Sequence, residues 1–323
     1  MKLMYRIFIF AVLLFCSTLS LAEKWASVTL DNDLFVGQDD GYTNGLYLGL
    51  HETGLREEAP GPGFLLKPFS GLLNSETPLF SVNSYTLGQT MVTPEDITAE
   101  VPDPNDVPYS GLLFFNNTYI HAQENKADKY TLIVGVVGPD SGAEQSQKFV
   151  HKAIGSDEPK GWDYQLKNEI VFQLERGRIW RKWLTPETKT MDAIFLADLN
   201  VGTIEASAST AVFLRAGQDM DHTYVTPSLR GTRTSNPISA NGGWFVYAGL
   251  EAKYIARQIF IDGNTFRDSP SAELDHTQFT LSLGLTYSWQ RVSISFASEN
   301  SNIFEDNPEA LARYGSFTFA WNY

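Results

Sequence analysis

Phe279-Thr280-Leu281-Ser282-Leu283-Gly284-Leu285-Thr286-Tyr287-Ser288-Trp289 alternates without a break. The odd positions are large and apolar, ending in two aromatic rings, and the even positions are small or polar. That period of two belongs to a β-strand with two unlike faces, not to a helix. The pattern repeats on both sides. After a Gln290-Arg291 turn, Val292, Ile294 and Phe296 alternate with Ser293, Ser295 and Ala297, and the chain closes on Phe317, Phe319, Trp321 and Tyr323 against Ser316, Thr318, Ala320 and Asn322. Upstream, Glu251, Lys253 and Arg257 share one parity while Leu250, Ala252, Tyr254 and Ala256 share the other. An apolar face that ends in rings suits lipid and its interface, and a face carrying three charges suits a polar interior.

Working outward, strands are expected near 24–31, 42–51, 79–90, 109–122, 128–138, 163–175, 188–203, 206–217, 244–260, 276–289, 291–299 and 314–323. The fold class that follows is all-β: a twelve-stranded antiparallel transmembrane β-barrel with a short helix in one outer loop. A secreted sandwich of similar strands is the competing architecture. Residues 1–22 read as a signal peptide, with Lys2 and Arg6 before the apolar run Ile7 to Phe15 and a small-residue cleavage site at Ser20-Leu21-Ala22. Residues 23–323 then form the barrel domain. The single cysteine, Cys16, lies within that leader, so the exported chain is expected to carry no disulfide. Acidic residues exceed basic ones by 38 to 24, giving a net charge of -14, which argues against a nucleic-acid partner. With the first strand starting on the periplasmic side, loops near 32–41, 91–108, 139–162, 261–275 and 300–313 lie outside, and 52–78 becomes a long periplasmic turn whose portion from Gly63 to Leu73 could rest on the membrane surface.

Two clusters of polar chemistry fall in those outer loops. Asp31-Asn32-Asp33 ends the first strand and Asp39-Asp40-Gly41-Tyr42-Thr43-Asn44-Gly45 begins the second. Oxygen-only donors of this kind suit Ca²⁺, although Asp, Asn and Gly also simply build exposed loops. The second cluster runs from Gly138-Pro139-Asp140 to Gly155, punctuation that predicts one short helix over 142–154. Gln147 and His151 are four residues apart and share a face of it. A histidine there could activate a water as general base, with Gln147 positioning water or substrate; a solvated loop histidine is the plain alternative. His51, His121, His222 and His276 show no metal-ligand spacing and are expected in the lumen or at interfaces. No serine-nucleophile elbow, zinc helix or phosphate loop occurs.

The order of short motifs then becomes informative. Asn32-Asp33, Gly41-Tyr42-Thr43-Asn44-Gly45-Leu46, Pro108-Tyr109-Ser110-Gly111 and Gly135-Val136-Val137-Gly138-Pro139 are followed by Gln147 and His151. Gly161 to Glu169, Leu214-Arg215-Ala216-Gly217 and Asp262 to Ser269 complete the series. In this order the chain resembles the outer-membrane, calcium-dependent lipid A 3'-O-deacylase family. The resemblance implies a twelve-stranded barrel in the bacterial outer membrane and an esterase that uses a Ca²⁺-stabilised oxyanion and a histidine-activated water. By motif it makes His151 the general base, Gln147 its helical neighbour, and Asn32, Asp33 and Thr43 the barrel-wall part of the site, with Asn32 and Asp33 as metal ligands. It also implies lipid A or lipopolysaccharide as substrate, outer-membrane lipids as surroundings, and a monomer. One departure stands out: Asp106-Val107-Pro108-Tyr109 carries valine where the family commonly has arginine, and loop 92–107 holds Glu95, Asp96, Glu100, Asp103 and Asp106 but no basic residue. A phospholipid-directed esterase, or a non-catalytic barrel or pore, are the alternatives. Asp157 is a further candidate carboxylate.

Overall fold

The computed structural model describes residues 23–32, 42–221, 223, 243–289, 291–301 and 313–323. Twelve strands close into one antiparallel barrel in which each strand pairs with its neighbours in sequence and the last returns to the first. They are β1 Glu23–Asn32, β2 Tyr42–Leu55, β3 Phe80–Val92, β4 Ser110–Ala122, β5 Lys126–Val137 and β6 Glu169–Trp183. The second half comprises β7 Met191–Gly202, β8 Glu205–Gln218, β9 Trp244–Gln258, β10 Thr277–Trp289, β11 Val292–Ser301 and β12 Arg313–Asn322. Among the described residues two α-helices lie in outer loops, α1 Ala143–Ile154 and the single-turn α2 Ile259–Asp262. Closure leaves no strand edge unpaired, which is what makes a sheet tolerable in hydrocarbon.

The alternation behaves as its residues require. In β10, Leu283, Leu285, Tyr287 and Trp289 are exposed on the outer wall, while Thr280, Ser282, Thr286 and Ser288 are buried inside. Ionic and polar side chains fill the interior. Arg215 grips Asp192 through Nε at 2.9 Å and Nη2 at 2.5 Å, and Arg181 reaches the same carboxylate at 3.3 Å. Lys129 meets Asp198 at 2.8 Å, and Lys253 meets Glu205 at 3.2 Å. Glu251 and Lys253 share the inner face, but the register shift at Ala206/Ser207 pairs Arg257 with Ala206 and turns it off that face, where it ties the Thr203 and Gly263 carbonyls at the outer rim. His51 bridges Ser27 at 2.9 Å and Ser84 at 2.8 Å within the lumen.

Strand six is displaced from its expected span of 163–175. Residues Gly161–Tyr164 form a 3-10 turn that buries Trp162, and the strand starts at Glu169 and runs on to Trp183. The expectation stopped short because Arg176, Arg178 and Lys182 occupy the same parity as Ile170, Phe172 and Leu174, so the apolar alternation fails halfway along an unbroken strand.

The long periplasmic connection after Leu55 does more than rest on a surface. It climbs the outside of β3, β4 and β5 and covers a polar patch there. Ser81, Asn83, Asn117, Tyr119 and Asp128 share the outward parity yet are buried. Ser81 Oγ donates to the Pro60 carbonyl at 2.6 Å, and the Asn74 amide donates to Asp128 at 3.2 Å. Leu66 packs between Tyr119 and Tyr130, with Leu73 and Leu132 beside them. Phe64 stacks on Tyr85 and Phe115. Buried polar groups that would face lipid unpaired are thus given partners by the chain itself.

The expected leader 1–22, Asp33 and residues 34–41, His222 and 224–242 lie outside the described residues.

Candidate functional site on the outer wall

Strand pairing sets a row of residues side by side near the outer end of the barrel. Asn32 of β1 pairs with Asn44 of β2, Asn44 with Met91 of β3, and Met91 with Gly111 of β4. All four share parity with exposed residues such as Leu30, Leu46 and Leu87, so the row lies on the lipid side of the wall rather than in the lumen. Asp31, by the same alternation, faces inward and is fully buried.

Helix α1 lies against this row. Residue 111 has to be glycine: a Cβ there would sit 2.2 Å from Ala143 Cβ and 2.4 Å from Ser141 Oγ. Gln89, on the outward face of β3, donates through Nε2 to the Ser141 carbonyl at 2.7 Å. Met91, Tyr109, Ala143 and Trp162 form one buried cluster beneath the helix. The helix ends as the sequence predicts, at a left-handed Gly155 (φ 77°) whose amide donates to the His151 carbonyl. Its opposite side carries Phe149, 74% exposed, and Ile154 in the last turn is 61% exposed.

The two helical site residues are held in different ways. Gln147 is buried, and its Oε1 accepts from Trp162 Nε1 at 2.7 Å. That bond orients the amide so that Nε2 is the remaining donor, and this buried nitrogen has no partner. His151 is half-buried and lies 2.6 Å, through Nδ1, from the Asp157 carbonyl oxygen. A carbonyl can only accept, so Nδ1 carries the proton and Nε2 of the neutral ring is left with its lone pair. Asp157 thus meets His151 through its backbone carbonyl.

Several contributors were not singled out by sequence reasoning. Trp162 fixes Gln147, and Tyr109 packs on Trp162 with ring centroids 4.9 Å apart. Burial pushes the Tyr109 hydroxyl up to about 12, with the Asp96 and Asp106 carboxylates adding to the shift. The Gly161 to Glu169 segment is clamped by the next outer loop: Asn264 accepts from the Lys167 amide at 2.9 Å and donates to its carbonyl at 2.8 Å. Glu169 accepts the Thr265 and Phe266 amides at 3.0 Å each. The signal for these lay in the motif order, since each residue sits inside a quoted motif, but no local periodicity marks it.

Thr43 lies in β2 at the register shift between Tyr42 and Asn44. Asp33, the residue after Asn32, is outside the described residues. Among the described residues no trio of His, Cys, Asp or Glu gathers as a metal site. The donors expected at this rim, the Asn32 amide, the Asp33 carboxylate and the Thr43 hydroxyl, are all hard oxygens of the kind Ca²⁺ takes.

A family model described as Outer membrane protein LpxR matches residues 7–323. Among solved structures, LpxR from Salmonella typhimurium is similar with a TM-score of 0.71 at 16% identity, covering 93% of this chain and 100% of that one. The β-domain of the Bordetella autotransporter BrkA aligns with a TM-score of 0.43 at 11% identity, over 94% of this chain and 98% of that one. No curated protein matches by sequence.

Proposed function

The chain belongs to the LpxR outer membrane protein family, lipid A deacylases integral to the outer membrane, and from that premise we propose that it hydrolyses the 3'-O-acyl ester of lipid A with His151 as general base. The observation that carries this reading is the 2.6 Å contact between His151 Nδ1 and the Asp157 carbonyl, which leaves Nε2 able to take a proton. A water attacks the ester carbonyl carbon as His151 Nε2 accepts its proton. The same proton passes to the sugar oxygen as the acyl carbon–oxygen bond breaks, releasing a fatty acid.

The partnerless Nε2 of Gln147 is a donor ready for an oxygen of the water or the ester. A Ca²⁺ ion held by Asn32 and Asp33 would supply a Lewis acid for the ester carbonyl at this point, with Thr43 beside them. The location favours a membrane substrate: α1 lies on the outward face of β3 and β4, at the outer end, where acyl esters of the outer leaflet reach it from the side. The chain is read as acting as a monomer within that leaflet.

A second reading has its own observation. Loop 92–107 contains five carboxylates and no lysine or arginine, and Val107 stands where the family commonly has arginine. An acidic rim is a poor partner for a bis-phosphorylated glucosamine unless divalent cations bridge the two, so phospholipid esters are the alternative substrate. Mass spectrometry of lipid A and phospholipids, from cells expressing the wild type or His151→Ala and treated with Ca²⁺ or a chelator, separates them. The main reading requires an acyl mass lost from lipid A that depends on both His151 and the cation. Unchanged lipid A with released lysophospholipid moves the assignment to the second, and no change in either lipid overturns both.

A further inference from the structure

Apart from Arg257, which a register shift turns outward at the outer end of β9, the outward positions of β7 through β11 carry no charged residue among those described, whereas two adjacent strands elsewhere carry four cations. Lys126 on β5 and Arg176, Arg178 and Lys182 on β6 all share the lipid-facing parity, since Lys126 pairs with Trp180 and Tyr130 with Arg176. Against them stands one outward carboxylate within β5 and β6, Asp128, with Glu76 and Glu124 in the connections below.

The depth of the two arginines follows from strand geometry. From Ile170, 82% exposed near the outer end, ten residues at roughly 3.3 Å with a tilt of about 40° descend roughly 25 Å, the height of an apolar barrel band. That brings Trp180, tilted against Phe195 at 5.3 Å, to the periplasmic interface. Arg178 and Arg176 lie one and two outward positions above it, within reach of the phosphate level for side chains that snorkel.

Both guanidinium groups are prearranged. Arg176 Nη2 and Arg178 Nη1 both donate to Asp128 Oδ1, at 2.5 and 2.7 Å, and the Arg176 guanidinium covers the Tyr130 ring at 4.3 Å. Asp128 is itself pinned by Asn74 from the covering segment. Two guanidinium ions on one carboxylate leave a net positive charge, and the arginine side chains remain 39% and 37% exposed. The covering segment, whose Leu66 packs on Tyr130 and whose Asn74 bonds Asp128, also carries Lys67 and the exposed Phe69 and Leu72, Leu72 being 77% exposed. A cationic patch on the lipid-facing wall, with hydrocarbon on one side and headgroups below, matches the phosphate of an anionic lipid.

We propose that Arg176 and Arg178, beside the 59–76 segment, hold the phosphate of an anionic phospholipid of the periplasmic leaflet, with Lys126 and Lys182 completing the positive field. The site lies at the opposite end of the barrel from His151 and is independent of the hydrolytic reading.

Native mass spectrometry of the detergent-solubilised full chain, titrated with phosphatidylglycerol or with phosphatidylcholine of the same acyl chains, tests it. The wild type is expected to retain phosphatidylglycerol preferentially, and Arg178→Gln to weaken that retention roughly fivefold, as loss of one basic group at an anionic surface should. Arg178→Lys should keep most of it. Folding is followed by the heat-dependent gel shift typical of barrels. If Arg178→Gln does not fold, the double variant Lys126→Gln/Lys182→Gln, which leaves the Asp128 pairing intact, takes its place and must also weaken retention. Equal retention of the two lipids by the wild type, or no weakening in the folded variant, overturns the proposal.

Discussion

Trp162 Nε1 donates to Gln147 Oε1 across 2.7 Å, joining the 3-10 turn before β6 to the middle of α1. This bond decides which end of the Gln147 amide faces the site. With Oε1 engaged, Nε2 is the free donor, so in the proposed reaction the indole would act on the chemistry without touching the reacting atoms. Trp162→Phe keeps the ring packing on Tyr109 and removes only the donor. A roughly tenfold fall in kcat with KM little changed is expected, about the worth of one misdirected buried hydrogen bond. A Trp162→Phe enzyme with unaltered kinetics on purified lipid A would show that Gln147 needs no such anchor.

Gly111 tests whether the seat of α1 matters to the site. A side chain there meets Ala143 and Ser141 at distances no folded protein sustains, so the helix must lift. Gly111→Val is expected to retain the heat-dependent gel shift of the barrel while acyl release falls at least about tenfold, because a displacement near 1 Å in a catalytic group is costly. Loss of the gel shift as well would place Gly111 in barrel assembly.

The interior ion pairs make a stability prediction of their own. Arg215→Met leaves the fully buried Asp192 with Arg181 alone, and breaking such a pair costs about 3–5 kcal/mol. Denaturant midpoints in detergent should fall accordingly. The double variant Arg215→Met/Asp192→Leu should lose further stability, since it leaves the buried Arg181 without the carboxylate that Arg215→Met alone leaves it.

Tyr109 gives the pH dependence. Its hydroxyl is raised from 10 to about 12 because burial opposes the phenolate. The unfolded chain releases this proton first as pH rises, so the stabilisation is complete below about pH 10 and is lost progressively between about 10 and 12. Ultraviolet titration should show Tyr109 contributing to the late-ionising absorbance, and Tyr109→Phe should reduce that component and flatten the alkaline slope of stability.

Much of this was legible in the chain. Strand β10 announces itself by strict alternation, and α1 is bracketed by its punctuation, with Gln147 and His151 on one face as the spacing requires. What stayed hidden is long-range. Trp162 lies fifteen residues from Gln147 in a turn with no periodicity, and the start of β6 was masked by that turn. The covering of the outer wall left a trace that pattern reading passed over: Asn83, Asn117 and Asp128 are polar at positions that should face lipid, which makes sense only if another segment shields them. The Asp33 part of the site lies outside the described residues, so its expected role stands as proposed.

The placement of α1 on the lipid side of the wall changes what concentration means for this protein. A substrate that never leaves the leaflet meets the site by lateral diffusion in two dimensions, and saturation is governed by its mole fraction among neighbouring lipids rather than by its amount per volume. Adding inert detergent or lipid should therefore slow turnover by surface dilution even when bulk substrate and enzyme are unchanged.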